Sequence, residues 1–455
     1  MSEPRPRLAA LTVAVGLVLA DSSIVVLALP DIYRELDTSV AGVTWVLVSF
    51  NLVLALAAVP IAQVGRRVGP GRTAAVGLAV FAGAGVACGV ATELGTLIAA
   101  RCVQALGGAA AVTAVLELLP ATVGSERRAA TVWAAAGATG AALGPAAGGL
   151  LTELVSWQSV FLIQAPLAIA AGVPVLAVAR HEAATGVIAS ELRRTGRPHL
   201  LANLALAMTS AAIAAALFLL VLLLIEGWRL SPIGAAAVVS AMPLAALLGS
   251  RLGPEVASAK ARAAAGAILV GGGLGGLALL PKATVALTLP PQLLVGIGLS
   301  LVLSALTETA LAGRAPQAIH GGWTIASRHI GVAVGLIALT PLFTADIAEQ
   351  RRDAIASGTA VVLDSRVSPL LKLELSQRLD DRLEEQRGKV PTIEPAFEPL
   401  PDDPEERDEV VQLRGELQDQ LDRGATHAFS PSFGLGAAIG LLALLPIGLA
   451  RRVEL

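Results

Sequence analysis

The feature that most constrains this chain is a series of apolar runs, each long enough to cross a bilayer core of about 30 Å, for which about 20 residues are needed. Twelve can be placed, near 8–30, 41–62, 73–91, 94–119, 128–153, 158–179, 200–225, 231–252, 262–281, 286–312, 318–343 and 429–450. A segment in hydrocarbon must satisfy its own backbone polar groups, so each is read as a helix. Composition agrees: 55% of residues are hydrophobic, 15% are charged, and mean hydropathy is +0.72. The basic start and apolar run at the N-terminus would suit a secretory signal. The run continues through Asp21 to Pro30 without a cleavage site, however, and reads as a retained span. The expected fold class is an all-α membrane protein with twelve transmembrane helices.

Charge is segregated along the chain, so the formal net charge of -2 says little about partners. If the N-terminus is cytoplasmic, the inner loops collect most of the arginines, among them Arg5, Arg7, Arg127, Arg128, Arg314 and Arg451. The short outer loops then hold only Arg34, Arg229 and Lys282. That asymmetry follows the positive-inside rule and places both termini in the cytoplasm of a cell membrane. Trp45, Trp157 and Trp228 fall near the outer interface, and Trp133 and Trp323 near the inner one.

The twelve spans divide six and six around a polar loop at 180–199, which points to two pseudo-symmetric bundles with a site between them near the midplane. The organisation expected is a first bundle over 1–179, a cytoplasmic linker over 180–199 and helices 7–11 over 200–345. An acidic extracytoplasmic insertion over 346–428 follows, then helix 12 with its tail over 429–455. Cys88 and Cys102 both lie in apolar runs and read as packing residues rather than a disulfide or metal framework. No phosphate loop or catalytic signature occurs, and GGGLGG at 271–276 lies within a span. The chain is therefore read as neither an enzyme nor an ATP-driven pump, with no cofactor, no metal and no nucleic-acid partner.

The fifth span contains GATGAALGPAAGGLL, 137–151, an unusual density of glycine for a helix. In lipid, helices approach closely only where small residues let backbones pack, so this reads as a packing groove with a kink at Pro145. Gly140, Gly144, Pro145, Gly148 and Gly149 spell G-x-x-x-G-P-x-x-G-G, which resembles the antiporter motif of the major facilitator superfamily. ADSSIVVLALP at 20–30 looks like the first-helix signature of the drug:proton antiporters. RCVQALGGAA at 101–110 resembles the fourth-helix R-x-x-Q-G motif, with Ala105 at the glycine position. WQSVFLIQAPLAI and TIASRHIGVAVGL are similar to stretches of the fourteen-helix branch.

The chain departs from that pattern in three places. AQVGRRVGPGR at 62–72 carries Ala62 and Arg66 where the family pattern places glycine and aspartate. Val26 replaces the usual first-helix asparagine, and twelve spans are counted rather than fourteen.

Charged residues within spans are functional hypotheses by default, because each is costly in hydrocarbon. Asp21 lies about thirteen residues into helix 1, roughly 20 Å from its start at about 1.5 Å per residue, and Arg101 reaches nearly the same depth on helix 4. The resemblance implies that both helices line a central cavity, so the two residues are expected to face each other there. Asp21 is then either a proton-coupling carboxylate or half of a fixed ion pair. Glu117 and Glu308 sit near the inner ends of helices 4 and 10. They are read as inner-gate acids, or as static ion pairs, with Arg66, Arg67 and Arg72 facing Glu117 and Arg251 facing Glu308. Helix 11 carries His320, Arg328 and His329. Arg328 matches the family's A-S-R stretch and is expected to point inward, and His329 either titrates or hydrogen-bonds across helices.

Within 346–428, Leu371, Leu375, Leu379 and Leu383 share one helical stripe, and Val410, Leu413, Leu417 and Leu421 another. Pro391, Pro395, Pro399, Pro401 and Pro404 mark an extended linker between them. Two amphipathic helices packed together over the outer mouth are expected, as a lid, a docking surface for an external protein, or a solvated spacer. Only 3% of residues are aromatic, which suits a cavity for aliphatic, lipid-like or bulky neutral compounds rather than flat cations. The leading reading is a proton-coupled secondary exporter of small, largely apolar molecules working by alternating access. A transport-defunct binding protein and an uncoupled facilitator are the other two.

Overall fold

The computed structural model describes residues 4–185, 196–249, 257–314, 316–365, 367–385 and 393–450, and among them it contains helices and no strand. The first half holds α1 (Pro4–Val26), α2 (Leu29–Glu35), α3 (Val40–Val68), α4 (Pro70–Gly89), α5 (Leu94–Leu118), α6 (Pro120–Val123), α7 (Glu126–Leu154), α8 (Ser159–Leu162) and α9 (Gln164–Thr185). The second holds α10 (Leu200–Leu222), continued by a π turn at Leu223–Gly227, then α11 (Pro232–Val239), α12 (Ala241–Gly249), α13 (Ala259–Ala278) and α14 (Val285–Leu311). It continues through α15 (Gln317–Asp364), α16 (Pro369–Glu385), a 3-10 turn at Glu394–Phe397, α17 (Pro404–Ala428), α18 (Ser430–Leu442) and α19 (Leu444–Leu449).

The sequence marks where helices start. The hydroxyls of Ser39, Ser125, Ser231 and Ser258 accept from the backbone N–H groups of Gly42, Arg128, Gly234 and Ala261, capping α3, α7, α11 and α13. Pro70, Pro120, Pro232 and Pro404 occupy first-turn positions, where the missing N–H is no loss. Gly69 at φ 107 and Gly124 at φ 85 make the turns between spans.

Eleven helices among the described residues are long and apolar enough to cross a membrane. With α7 the crossings number twelve. It is 29 residues long, but its arginines, threonines and glycines keep it below the others in hydropathy. Successive crossings alternate in direction. One face, here the terminal face, gathers the start of α1, the α3–α4 turn and the end of α19, where Lys260 Nζ donates to the carbonyls of Gly448 and Ala450 at 2.8 Å each. The opposite, insertion face carries α2, the π turn, α16 and α17.

Within the first half α1 packs on α7, and α4 on α5 and α9. Within the second, α10 packs on α15, and α13 on α14 and α18. The halves meet chiefly along α3 and α15, and where α7 meets α11 and α12. Trp133 and Trp157 are almost wholly buried, their ring N–H groups donating to the Val112 carbonyl and to Glu35. Trp45 is 48% exposed.

The segment beyond the eleventh crossing differs in detail from the expected pair of helices. α15 does not stop at 345 but runs on to Asp364, so the helix of the span and the first helix of the insertion are one. A small core of Val362, Val367, Leu375, Phe397, Val410, Leu413 and Leu417 joins the end of α15 to α16, the 3-10 turn and α17. The proline stretch is therefore folded at Pro395 rather than extended throughout, and α17 continues almost directly into the last crossing. Pro391 and the Leu383 side chain lie outside the described residues.

Candidate functional site: a polar cluster between the two halves

The glycines of α7 determine where α1 can lie. A methyl group added at Gly140 would strike the Gly16 carbonyl, one at Gly144 the Ser23 hydroxyl, and one at Gly148 the Ile24 carbonyl. Gly149 faces the second half, where its Cβ would sit 2.6 Å from the Pro232 carbonyl of α11. The G-x-x-x-G-P-x-x-G-G stretch thus seats α1 against α7 and, through its last glycine, seats α7 against the other half. Asp21 is held at the depth this contact dictates.

Asp21 and Arg101 are both completely buried and are paired in the bidentate manner. Arg101 Nη1 donates to Asp21 Oδ1 at 2.8 Å and Nη2 to Oδ2 at 2.6 Å. Two further guanidinium donors are used: Nε to the Val46 carbonyl of α3 at 3.2 Å, and Nη1 to Gln104 Oε1 at 2.7 Å. Gln104 Nε2 donates in turn to Gln164 Oε1 at 3.3 Å, reaching α9. The cation also lies over two aromatic rings, its central carbon 4.1 Å from the Phe50 centroid and 5.5 Å from that of Phe161. One guanidinium therefore ties α1 and α3 to α5, and Gln104 extends the network to α9. Gln104 lies in the RCVQ stretch and Phe161 and Gln164 in the WQSVFLIQAPLAI stretch, whereas Phe50 carried no sequence signal beyond being aromatic within a span.

Next to this pair the halves are bonded to each other. Asn51 on α3 directs its amide N–H groups to the Leu47 carbonyl at 2.8 Å and to the Ser22 hydroxyl at 3.3 Å, which leaves its oxygen to accept from His329 Nδ1 on α15 at 2.6 Å. His329 is therefore protonated on Nδ1. Arg328, one residue earlier, makes no hydrogen bond or ion pair with any described residue. His320 lies nearer the terminal face and is buried.

On the terminal face Arg66 Nε lies 3.9 Å from Glu117 Oε1, whereas Arg67 and Arg72 are exposed and make no ion pair among the described residues. Glu308 is bonded by Arg262 at 3.1 Å within its own half and lies 3.6 Å from Arg127 of the other half. Arg251, expected beside it, lies outside the described residues. Along the same face a Cβ at Gly322 of α15 would lie 3.2 Å from the Ala58 carbonyl of α3.

The insertion face has its own contact between halves, which sequence reasoning missed. The Tyr33 hydroxyl of α2 donates to Glu226 Oε2 in the π turn, and Arg34 Nη2 lies 3.7 Å from Glu226 Oε1. Burial, and then the Glu226 carboxylate, push the Tyr33 phenol far above its ordinary value of 10.0. Nearby, Glu153 Oε2 accepts from the Ile233 backbone N–H at 2.7 Å. An acid in a span end, Glu226, facing the chain's single tyrosine was the available signal. The halves thus touch at both faces and at mid-depth.

A membrane bundle of twelve crossings, whose two halves are joined by a few polar contacts around a buried ion pair, is the architecture of a transporter rather than an enzyme. The sequence matches the family model of the Major Facilitator Superfamily over residues 11–339, and the chain belongs to that family. The tetracenomycin C resistance and export protein of Streptomyces glaucescens is 34% identical over 40% of this chain and 35% of its own length. The methylenomycin A resistance protein of Bacillus subtilis is 34% identical over 35% of this chain and 36% of its own length. These alignments span about a third of the curated relatives. Among solved structures, a bacterial homologue of the human lysosomal transporter Spinster, inward-facing and unoccupied, superposes with a TM-score of 0.60. Its sequence identity is 17%, and the match covers 98% of both chains, a likeness of fold. The protein is a multi-pass membrane protein of this superfamily.

Proposed function

We propose that the protein is an exporter of small, largely apolar compounds that couples their movement to protons through Asp21. The observation that carries this reading is the buried, bidentate pair of Asp21 and Arg101. A carboxylate with no solvent access and a single charged partner is stable only while paired. Protonation of Asp21 would release Arg101, and with it its bond to α3 and its bond to Gln104, which in turn holds α9. Because α3 also bears Asn51, a change in protonation at Asp21 would be felt at the bond between the halves.

Alternating access then consists of parting one set of contacts while the other holds. The terminal face would part at Glu308 with Arg127 and along α3 and α15; the insertion face would part at Tyr33 and Glu226. Glu117 with Arg66 serves the same gate within the first half, as does Arg262 within the second. The arginine distribution argues that the terminal face is cytoplasmic, with the insertion outside the cell membrane. The relatives named for resistance and export support the direction of transport.

The test is efflux of a panel of lipophilic compounds from proteoliposomes under an imposed pH gradient, comparing the native protein with Asp21→Asn shown to be monodisperse. Gradient-driven flux that the substitution abolishes supports the assignment. Gradient-driven flux that survives moves the coupling group elsewhere, and flux indifferent to the gradient identifies a facilitator.

A further inference from the structure

Arg328 stands apart from the other arginines of the membrane interior. Arg101 is paired with Asp21, and Arg262 with Glu308. Arg328 lies at mid-span beside His329, is only partly buried, and has no hydrogen-bond or charged partner among the described residues. A guanidinium has five N–H donors and stays charged. Left without a counter-charge in a span it is costly, and such residues line water-filled cavities or ligand paths.

The neighbours of α15 fix which way it faces. Arg328 comes seven residues, almost two full turns, after Gly321, whose Cβ would strike Leu116 of α5 in the first half. It comes three residues before Gly331, which abuts the Ala207 carbonyl of α10. The exposed side of α15, bearing Trp323, Val334 and Ile337, points away from this direction. The Arg328 side chain therefore projects into the interior where the two halves face each other, and not into lipid.

A second unsatisfied group lies close by on the fold. Asn203 of α10 is 94% buried, from a relative exposure of 6%, and its side-chain oxygen has no partner. α10 and α15 run parallel, with Ala207 against Gly331 and Ala211 against Gly335. One turn toward the terminal face from the first contact, the two helices carry Asn203 and Arg328. A buried amide brings both donor and acceptor capacity to whatever occupies the space. The midplane charges among the described residues are then one carboxylate, already bound in bidentate fashion, against two guanidiniums, so the interior carries an excess positive charge.

We propose that Arg328, assisted by the Asn203 amide, binds the acidic headgroup of an anionic amphiphile, making aliphatic carboxylates, sulfonates or phosphates the ligand class. The planar fork of arginine accepts two oxygens of such a group at once. A cavity opening there would be lined by the alanine, leucine and valine that dominate the bundle interior and would take the aliphatic body. This deepens the exporter reading and rests on it for transport, although binding stands on the structure of the site itself.

The experiment compares three compounds of one chain length with permanent or absent charge: decanesulfonate, decyltrimethylammonium and decanamide. Binding is measured by titration calorimetry on the full chain in nanodiscs of zwitterionic lipid, against empty nanodiscs, for the native protein, Arg328→Gln and Arg328→Lys. The native protein is expected to bind the sulfonate roughly tenfold or more tighter than the other two. Arg328→Gln should erase that preference, and Arg328→Lys, with its point charge, should retain part of it. Equal or weaker binding of the sulfonate by the native protein overturns the proposal even if the variants do not fold, as does a preference that survives Arg328→Gln. Repeating the titration with phosphatidylglycerol in the nanodisc separates the two sources of the headgroup. Suppressed sulfonate binding identifies a lipid phosphate as the occupant, and unchanged binding a soluble anion. Selective binding without flux in proteoliposomes would defeat the exporter reading alone, whereas flux of the neutral or cationic compound without anion preference would defeat this inference alone.

Discussion

The Asn51 side-chain oxygen on α3 accepts from His329 Nδ1 on α15 at 2.6 Å, a buried bond between the two halves of the bundle at mid-depth. Its donor and acceptor are both committed by their surroundings, since the Asn51 amide N–H groups are already used toward Leu47 and Ser22. Truncating it as Asn51→Ala should remove about 1 kcal/mol from the closed contact between α3 and α15, or a roughly fivefold shift in population. A cysteine at Ala62, which packs against Ala318 and Ile319 on the terminal side, would report the change. In a background with Cys88 and Cys102 replaced, an impermeant maleimide should label Ala62→Cys several-fold faster when Asn51→Ala is present.

The Asp21 and Arg101 pair should respond asymmetrically to mutation. Asp21→Asn leaves a wholly buried guanidinium uncompensated and is expected to cost about 3–5 kcal/mol, seen as a lower melting temperature in detergent. Replacing both partners, as Asp21→Asn with Arg101→Gln, removes the stranded charge and should recover part of that loss. Equal melting of the single and double variants would mean that the pair does not act as a unit.

Tyr33 permits a pH measurement free of overlap, because the chain has one tyrosine. Its folded-state value lies above the ordinary 10.0, so the folded protein holds a phenolic proton that the unfolded chain loses at high pH. By linkage this group costs no stability below about pH 10 and makes stability fall as pH rises beyond it. No phenolate absorbance should develop in the folded protein up to about pH 11. Tyr33→Phe should flatten the alkaline fall in melting temperature.

Two glycine substitutions should have opposite signs. Gly140→Ala places a methyl group against the Gly16 carbonyl and must push α1 and α7 apart, a loss of about 1–3 kcal/mol. Gly83→Ala on α4 meets nothing within 4 Å and gains helix propensity, a gain of up to about 1 kcal/mol. Both are read from thermal melts of the purified protein.

The crossing helices and the tight packing face of α7 were legible because hydrocarbon imposes length on a span and small residues on a tight interface, whereas the choice of α1 as its partner was not. Asp21 and Arg101 were legible for the same reason: a charge within a span has few places to go, and residue counting alone gives its depth. Partner choice was harder wherever it depended on which helices become neighbours. Glu308 was assigned Arg251 from loop proximity, whereas its described partners, Arg262 and Arg127, come from α13 and from the opposite half. Asn51 and Glu226 passed unremarked because a single amide or an acid at a span end looks ordinary until the facing helix is known. The insertion was read as two stripes of leucine and valine. The run-on of α15 was hidden because charge at 346–353 looks like a loop in a hydropathy profile, though it is compatible with a helix leaving the bilayer.

That run-on has a mechanical consequence. At about 1.5 Å per residue, the 48 residues of α15 make a shaft about 70 Å long, with its inner portion pressed on α3 and its far end set in the small core it shares with α17. A rocking of the second half by about 10° about mid-membrane would sweep that far end through several ångströms, more than any displacement at the ion pairs themselves. The cap outside the membrane is thereby geared to the transport cycle as a lever arm. A fluorophore pair there would read the cycle at higher gain than one placed in the bundle.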